Sequence, residues 1–174
     1  SACLVGSEMC IRDSLYRTNL GPRLLIEKLM EYNIPFCMKD AVPNLYDHWI
    51  AKNIIAYLNA AAGDLSRACI LSVINRPNRY ISRDALELPV VSWEAVKSFY
   101  QDKGWMVERI EQLEYDLKFL RQLAPAAAVN YIRKAVGYDD YIREYAEYRR
   151  MKPEELFEVL DQLAESAAGF QTVE

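Results

Sequence analysis

The sequence has few of the residues on which self-contained enzymes depend. Its 174 residues include a single histidine, His48, which excludes a His-rich metal site and obliges any catalytic triad to pass through that residue. The six glycines are scattered and no Gly-Lys pair occurs, so neither a GxxxxGK[ST] loop nor a GxGxxG motif is present. These absences disfavour a free-standing enzyme, and the sequence predicts no metal-binding set.

Cysteines and long apolar runs are also scarce. The four cysteines form no C-x-x-C pair and are few for a disulfide scaffold of this length. This usage predicts a reducing compartment, the cytoplasm. No apolar run reaches the roughly 18 residues that a membrane span needs, and the first ten residues lack the positive region of a secretory signal. We therefore expect a protein that makes no contact with a membrane.

The chain does contain a periodic apolar pattern, and 52% of its residues are hydrophobic, enough for the core of one domain or two small ones. The three- and four-residue spacings predict a mainly α, bundle-like fold with a short strand–helix–strand piece at its start, its strands at 15–18 and 34–36. Gly63 is predicted to end the second helix and Asp64 to cap the third. The predicted helices span residues 20–32, 46–62, 65–74, 92–101, 104–123, 126–136, 139–150 and 154–168.

The first fourteen residues do not share this pattern. The stretch SACLVGSEMCIRDS has neither a helical nor a strand period, and it resembles a translated sequencing-adapter tail. We expect this stretch to pack against nothing, either because it is an artefact or because it is a disordered terminus.

Two faces of the predicted helices allow more than one interpretation. A tyrosine stripe is either a packing face or a base-stacking platform, and it consists of Tyr138, Tyr141, Tyr145 and Tyr148. A coiled-coil-like seam is either intramolecular core or a dimer interface, and it consists of Met106, Ile110, Leu113, Leu117 and Leu120. A helical protein-interaction module that uses one of these faces is therefore an alternative function. His48 is predicted to be a structural or surface residue.

Charge is distributed unevenly along the chain, whose net charge is −4. Residues 139–165 hold nine acidic and four basic side chains, a net charge of −5, whereas residues 65–82 hold no acidic side chain at all. A loop in that acid-free stretch offers guanidinium groups and backbone amides to a phosphate backbone, although a merely solvated loop would have the same composition. The loop carries Arg76, Asn78, Arg79 and Ser82, and Arg83 follows at once.

Four segments, taken in order along the chain, resemble the UvrD/PcrA-like superfamily 1 DNA helicases. Residues 15–27 resemble the family's LYR[ST]N…R…E segment, and residues 33–36 resemble its gIPy segment. Residues 46–58 are similar to the segment that begins the family's 2B subdomain, and residues 75–82 are similar to N.P.RGIG, its duplex-contacting loop. Where the family has the two glycines of that loop, this chain has Tyr80 and Ser82.

The resemblance implies a fragment of an ATP-dependent 3′-to-5′ DNA helicase. Residues 1–14 would be the artefactual or disordered tail, 15–38 an edge of the RecA-like motor domain 2A, and 39–174 an incomplete helical 2B subdomain. ATP and Mg²⁺ would bind in the parent protein and not in this fragment, which lacks Walker A and Walker B motifs and is expected to be inactive by itself. The implied partners are DNA, at a junction of single strand and duplex, and the remaining helicase domains of the same chain.

By the same resemblance, two groups of residues contact DNA, and none is assigned to catalysis. Contacts of this kind bind the backbone without regard to base sequence. The first group would contact the single-strand backbone, and it consists of Arg17, Thr18, Asn19 and Arg23. The second would face duplex phosphates, and it consists of Arg76, Asn78, Arg79, Ile81, Ser82 and Arg83. These contacts would regulate unwinding.

Overall fold

Eight α-helices hold most of the residues that the structure, a computed structural model, describes: 23–37 and 44–168. This part of the chain has no strand, so the predicted mainly α fold is confirmed. Each helix lies within three residues of its predicted bounds. The helices are α1 (Arg23–Glu31), α2 (Trp49–Ala62), α3 (Arg67–Val73), α4 (Trp93–Phe99), α5 (Gly104–Leu120), α6 (Pro125–Lys134), α7 (Tyr138–Arg149) and α8 (Pro153–Ala167).

The chain divides into two units, residues 1–43 and 44–174. In the first unit, α1 ends at Glu31, and Asn33 in the turn that follows adopts a φ of 51°. The amide of Ile34 donates a hydrogen bond to the carbonyl of Leu29 at 2.8 Å. Residues 34–37 follow without forming a strand. The other predicted strand, 15–18, and the tail 1–14 lie outside the described residues. The predicted boundary at 38/39 stays a prediction.

In the second unit, α2 packs against α3, α5, α6 and α8. Its side chains Ile50, Ile54 and Tyr57 are wholly buried, in keeping with their three- and four-residue spacing. A helix that is contacted on several sides must be apolar over most of its circumference, which explains the additional buried alanines of α2, Ala51, Ala60 and Ala61. The core of this unit therefore forms around α2.

The coiled-coil-like seam lies in this core. All five of its residues, from Met106 to Leu120 on α5, are at most 5% exposed. α5 packs against α2 and α4 of the same unit. The seam is thus intramolecular core, and it is not available as the dimer interface or partner-binding face that the sequence also allowed.

The turn between α2 and α3 differs in one detail from the sequence prediction. Gly63 ends α2 with a φ of 117°, as predicted. The N-cap of α3, however, is Ser66, whose Oγ accepts from the amide of Cys69 at 3.4 Å. Asp64 instead accepts from the amide of Ser66 at 3.0 Å and holds the turn that leads into the helix. The prediction of Asp64 as the cap was wrong by two positions.

The carboxylates near the start of α7 and α8 lie in the first helical turn, where they offset the helix dipole. Asp139 on α7 is also 4% exposed and accepts from Arg133 at 3.1 Å and from Lys134 at 2.7 Å. Arg133 donates as well to Asp161 on α8 at 2.6 Å. These ion pairs connect the end of α6 with the start of α7 and the middle of α8.

His48 is the N-cap of α2, in agreement with its predicted structural role. Its Nδ1 accepts from the amide of Ile50 at 3.3 Å, which requires the neutral imidazole. Burial lowers the pKa of His48 below its ordinary value. Protonation therefore removes a helix cap and charges a partly buried ring.

This geometry predicts a pH-dependent stability. Because the folded-state pKa of His48 is lowered, its contribution to the free energy of unfolding is complete above the unfolded pKa of about 6.5 and is lost as the pH falls through the folded pKa. Urea unfolding at about pH 7.5 and about pH 5.5 should show this loss. The His48→Asn variant keeps a good N-cap that does not titrate. An equal loss in that variant would contradict the assignment, since the chain has no other histidine.

Two kinds of feature are absent from the described residues. No helix there has the length and apolar content required to cross a lipid bilayer. The same residues include no group of three or more histidine, cysteine, aspartate or glutamate side chains placed to bind a metal ion.

Candidate nucleic-acid interface

The loop that follows α3, residues 75–82, is held in its conformation by hydrogen bonds between its own residues and by a buried side chain. The side chain of Asn75 pairs with the backbone of Ile81 in both directions: its Nδ2 donates to the Ile81 carbonyl at 2.8 Å, and its Oδ1 accepts from the Ile81 amide at 3.0 Å. Ile81 itself is 3% exposed. The asparagine thus closes the loop, and the isoleucine anchors it in the core. Ile81 contributes shape to the loop and no accessible surface.

Arg79 lies inside this closed loop and is only 9% exposed. Its Nη1 donates to the carbonyls of Val73 and Ile74 at 3.2 Å each and, more weakly, to that of Pro77 at 3.4 Å. Both of its terminal nitrogens lie 3.1 Å from the hydroxyl of Tyr57. Since free carbonyls and negative dipole charge are found at the C-terminus of a helix, a cation is stabilised at the end of α3.

This placement corrects the expectation that Arg79 faces duplex phosphates. Both of its terminal nitrogens donate to groups within the protein, and the charge count along the sequence did not indicate these contacts. Arg76 is half-buried and also bonded internally: its Nη1 donates to Asn53 Oδ1 at 2.6 Å and to the Ser72 carbonyl at 3.2 Å. The two arginines nearest the loop's proline therefore hold the loop on the helices beneath it.

The same internal network reaches the tyrosine stripe. Asn53 donates through Nδ2 to the hydroxyl of Tyr138 at 2.9 Å, and the hydroxyl of Tyr57 donates to the Arg76 carbonyl at 2.6 Å. Burial raises the pKa of both tyrosines, so both remain neutral donors and acceptors. The stripe begins in the core at Tyr138 and ends at Tyr148, which is 83% exposed. It is a packing face at its buried end.

The residues that point outward from the loop are Asn78, Tyr80 and Arg83, all of them exposed. Ser82 is half-buried, and its Oγ caps a short 3-10 helix (Arg83–Ala85), accepting from the amide of Asp84 at 3.2 Å and donating to its carboxylate at 2.9 Å. Its own amide donates to the hydroxyl of Tyr100 at 2.7 Å. Of the six residues expected to face duplex phosphates, Asn78 and Arg83 are thus placed with accessible side chains.

Tyr80 adopts a φ of 60°, in the left-handed region that glycine favours. It stands where the resembling family has the first glycine of its loop. The backbone conformation that glycine permits is therefore present here, although the residue is a tyrosine. Because the loop is fixed at positions 75, 79 and 81, it imposes this conformation on Tyr80 and directs its ring outward, where it is 73% exposed.

Two residues that the sequence analysis did not single out lie beside Tyr80. Trp105 and Arg109 are four apart on α5 and so share one face of that helix. The Arg109 guanidinium carbon lies 4.9 Å from the centre of the Trp105 ring and 5.9 Å from that of the Tyr80 ring. Arg109 Nη1 also donates to the Arg79 carbonyl at 3.4 Å. We name these three residues, Tyr80, Trp105 and Arg109, the aromatic–guanidinium cluster.

The residues expected to contact single-stranded DNA fall almost entirely outside the described part of the chain. Arg17, Thr18 and Asn19 lie before it. Arg23 is the first residue of α1. Their assignment stays a prediction.

Comparison with known proteins finds sequence relatives but no matching family model. A protein of Bacillus subtilis (strain 168) that carries the name ATP-dependent DNA helicase YjcD is 25% identical over 138 residues, which cover 75% of this chain and 18% of the relative. The ATP-dependent DNA helicase PcrA from two strains of Staphylococcus epidermidis is 36% identical over 81 residues, covering 47% of this chain and 11% of the relative.

The chain thus spans less than a fifth of the length of each of these curated relatives. The names of these relatives agree with the helicase family that the sequence resembles. The chain is therefore related in sequence to ATP-dependent DNA helicases of the PcrA and YjcD kind.

Proposed function

We propose that this chain is part of an ATP-dependent 3′-to-5′ DNA helicase, in which residues 39–174 form an incomplete helical 2B subdomain and contact DNA. The observation that carries the proposal is the sequence relation to helicases, which extends over 75% of the chain in one relative. The helical fold of the second unit agrees with the helical 2B subdomain that the sequence resemblance implies. ATP and Mg²⁺ bind elsewhere in that enzyme, and this part regulates unwinding.

In the same proposal, residues 15–38 are an edge of the second motor domain. Support comes from the apolar side chains that this unit leaves uncovered: Met30 is 65% exposed, Tyr32 69% and Ile34 50%. Burying large apolar side chains is favourable by roughly 1.5–3 kcal/mol each, so a folded domain covers such residues with further structure. The remainder of a RecA-like motor domain would supply that cover.

Within the second unit, the outward side of the loop is the surface that we assign to duplex phosphates. Asn78 and Arg83 are exposed there, and residues 65–82 contain no carboxylate that would repel a phosphate. The nearest acidic side chain in sequence, Asp84, accepts a hydrogen bond from Ser82. A guanidinium group and an amide bind phosphate oxygens irrespective of the base sequence, which suits a translocating motor.

Substitution of Arg83 tests this assignment. Arg83→Ala should weaken binding of the 174-residue chain to a blunt DNA duplex by a few-fold, on the order of 1 kcal/mol, for any base sequence. It should also flatten the plot of log affinity against log salt concentration by about one unit, because one phosphate contact is lost. Fluorescence polarisation at several salt concentrations measures both quantities.

The matched control for this experiment is Arg149→Ala. Arg149 is an exposed arginine at the end of α7, within the acid-rich part of the chain, and its guanidinium carbon lies 5.7 Å from the centre of the Tyr145 ring. Its removal should change neither the affinity nor the salt slope. Equal effects of the two substitutions would mean that the loop is merely solvated and that the proposed duplex contact is wrong.

A further inference from the structure

The aromatic–guanidinium cluster has features that a packing contact does not require. Two large rings of the cluster remain in solvent, Tyr80 at 73% and Trp105 at 52% exposure. The φ of Tyr80, 60°, also lies in the left-handed region, where a residue with a Cβ atom is strained. The cluster thus combines a strained backbone conformation at Tyr80 with two aromatic rings that are exposed to solvent.

Arg109 gives this surface a positive charge. Within the described part of the chain it forms no ion pair, and its one hydrogen bond, to the Arg79 carbonyl, uses one of the five N–H donors of a guanidinium. Contact with the two rings holds the guanidinium group in position. The surface therefore combines flat aromatic faces with a fixed cation that has donors to spare.

We propose that the aromatic–guanidinium cluster binds an unpaired nucleotide of DNA, with its base stacked on Tyr80 or Trp105 and its phosphate held by Arg109. This inference rests on the proposed function. A flat ring joined to an anion is the chemistry that complements these three side chains, and each base has a face for stacking. A paired base within a duplex offers only its edges, so the ligand is a nucleotide that has left the duplex.

The position of the cluster agrees with such a ligand. Tyr80 belongs to the same loop as Asn78 and directly precedes the buried Ile81. A duplex whose backbone lies along the outward side of the loop would therefore lie beside the cluster. The loop holds the duplex, and the cluster receives the first base beyond it.

The test compares two DNA hairpins that carry the same phosphates. One has a single-stranded tail of thymidines, and the other has a tail of the same length made of abasic residues. The 174-residue chain should bind the thymidine tail about fivefold more tightly than the abasic tail, measured by fluorescence polarisation at one low salt concentration. Because the base stacks on one of the two rings, at least one of the variants Tyr80→Gly and Trp105→Ala should bring this ratio close to one.

Tyr80→Gly is the variant whose folding is safest, because glycine adopts the φ of 60° without strain. Tyr115→Ala is the matched control. Tyr115 is 59% exposed on α5, the helix that carries Trp105, and it lies near Phe119 outside the cluster. The control should leave the ratio unchanged.

The outcomes separate this inference from the function on which it rests. If the wild-type ratio is one, or if neither cluster variant changes it, the stacking site is refuted, whereas salt-dependent binding to a blunt duplex still supports the proposed function. If the wild-type chain binds neither the blunt duplex nor either tailed hairpin, the proposed function and this inference are both contradicted.

Discussion

Replacement of Arg79 by alanine should lower the free energy of unfolding by about 2–4 kcal/mol, measured by urea denaturation. The guanidinium group is buried, and it donates to three backbone carbonyls and to the hydroxyl of Tyr57. Without it, the Ile74 carbonyl loses this donor, whereas the Val73 carbonyl keeps the amide of Arg76 at 3.1 Å. A buried acceptor that is left unsatisfied is costly. The loss of the cation also removes the favourable interaction with the C-terminus of α3.

Arg83→Ala is the control for this experiment, since Arg83 is an exposed arginine four residues further on. Its substitution should change the free energy of unfolding by no more than about 0.5 kcal/mol. The two substitutions should thus affect different quantities: Arg79→Ala lowers the free energy of unfolding, and Arg83→Ala lowers the affinity for DNA. An Arg79→Ala chain of unchanged stability with a flattened salt dependence would show that the Arg79 guanidinium group faces solvent.

Leu113→Ala should destabilise the second unit by about 3 kcal/mol, because truncating a wholly buried leucine forfeits burial and leaves a cavity. Leu113 is the middle residue of the coiled-coil-like seam on α5. The denaturation midpoint should not depend on protein concentration, since the seam is filled by neighbours in the same chain. Glu111→Ala, at an exposed position of the same helix, should cost less than about 0.5 kcal/mol.

A midpoint that rises with protein concentration, and that loses this dependence in Leu113→Ala, would instead identify the seam as an interface between two copies. In that case the core described for α5 would be wrong.

The helices could be predicted from the sequence because two independent signals agreed. The apolar spacing located the buried face of each helix, and glycine or proline marked the boundaries: Gly63 and Gly137 have positive φ angles, and Pro125 and Pro153 each open a helix. The turn at 64–66 was missed because both Asp64 and Ser66 suit an N-cap, and the tertiary contacts of α3 decide between them.

The candidate site could be predicted only in part. The sequence located the loop, because an asparagine, a proline and several arginines follow a short helix without any acidic residue. It could not show that Arg79 turns inward, since a guanidinium group satisfies helix carbonyls as well as it satisfies phosphates. Trp105 and Arg109 were missed because they meet Tyr80 across more than twenty residues of sequence, a contact that depends on how α5 packs.

The loop at residues 75–82 can change its exposed side chain at position 80 without changing its backbone conformation. Asn75, Arg79 and Ile81 fix the backbone from beneath, so position 80 contributes an outward side chain without determining the path of the chain. Residues that tolerate a left-handed φ, such as glycine, asparagine and aspartate, are therefore exchangeable there. Evolution or design can therefore alter the ligand specificity of this surface by changing the side chain at position 80, while the backbone of the loop keeps its conformation.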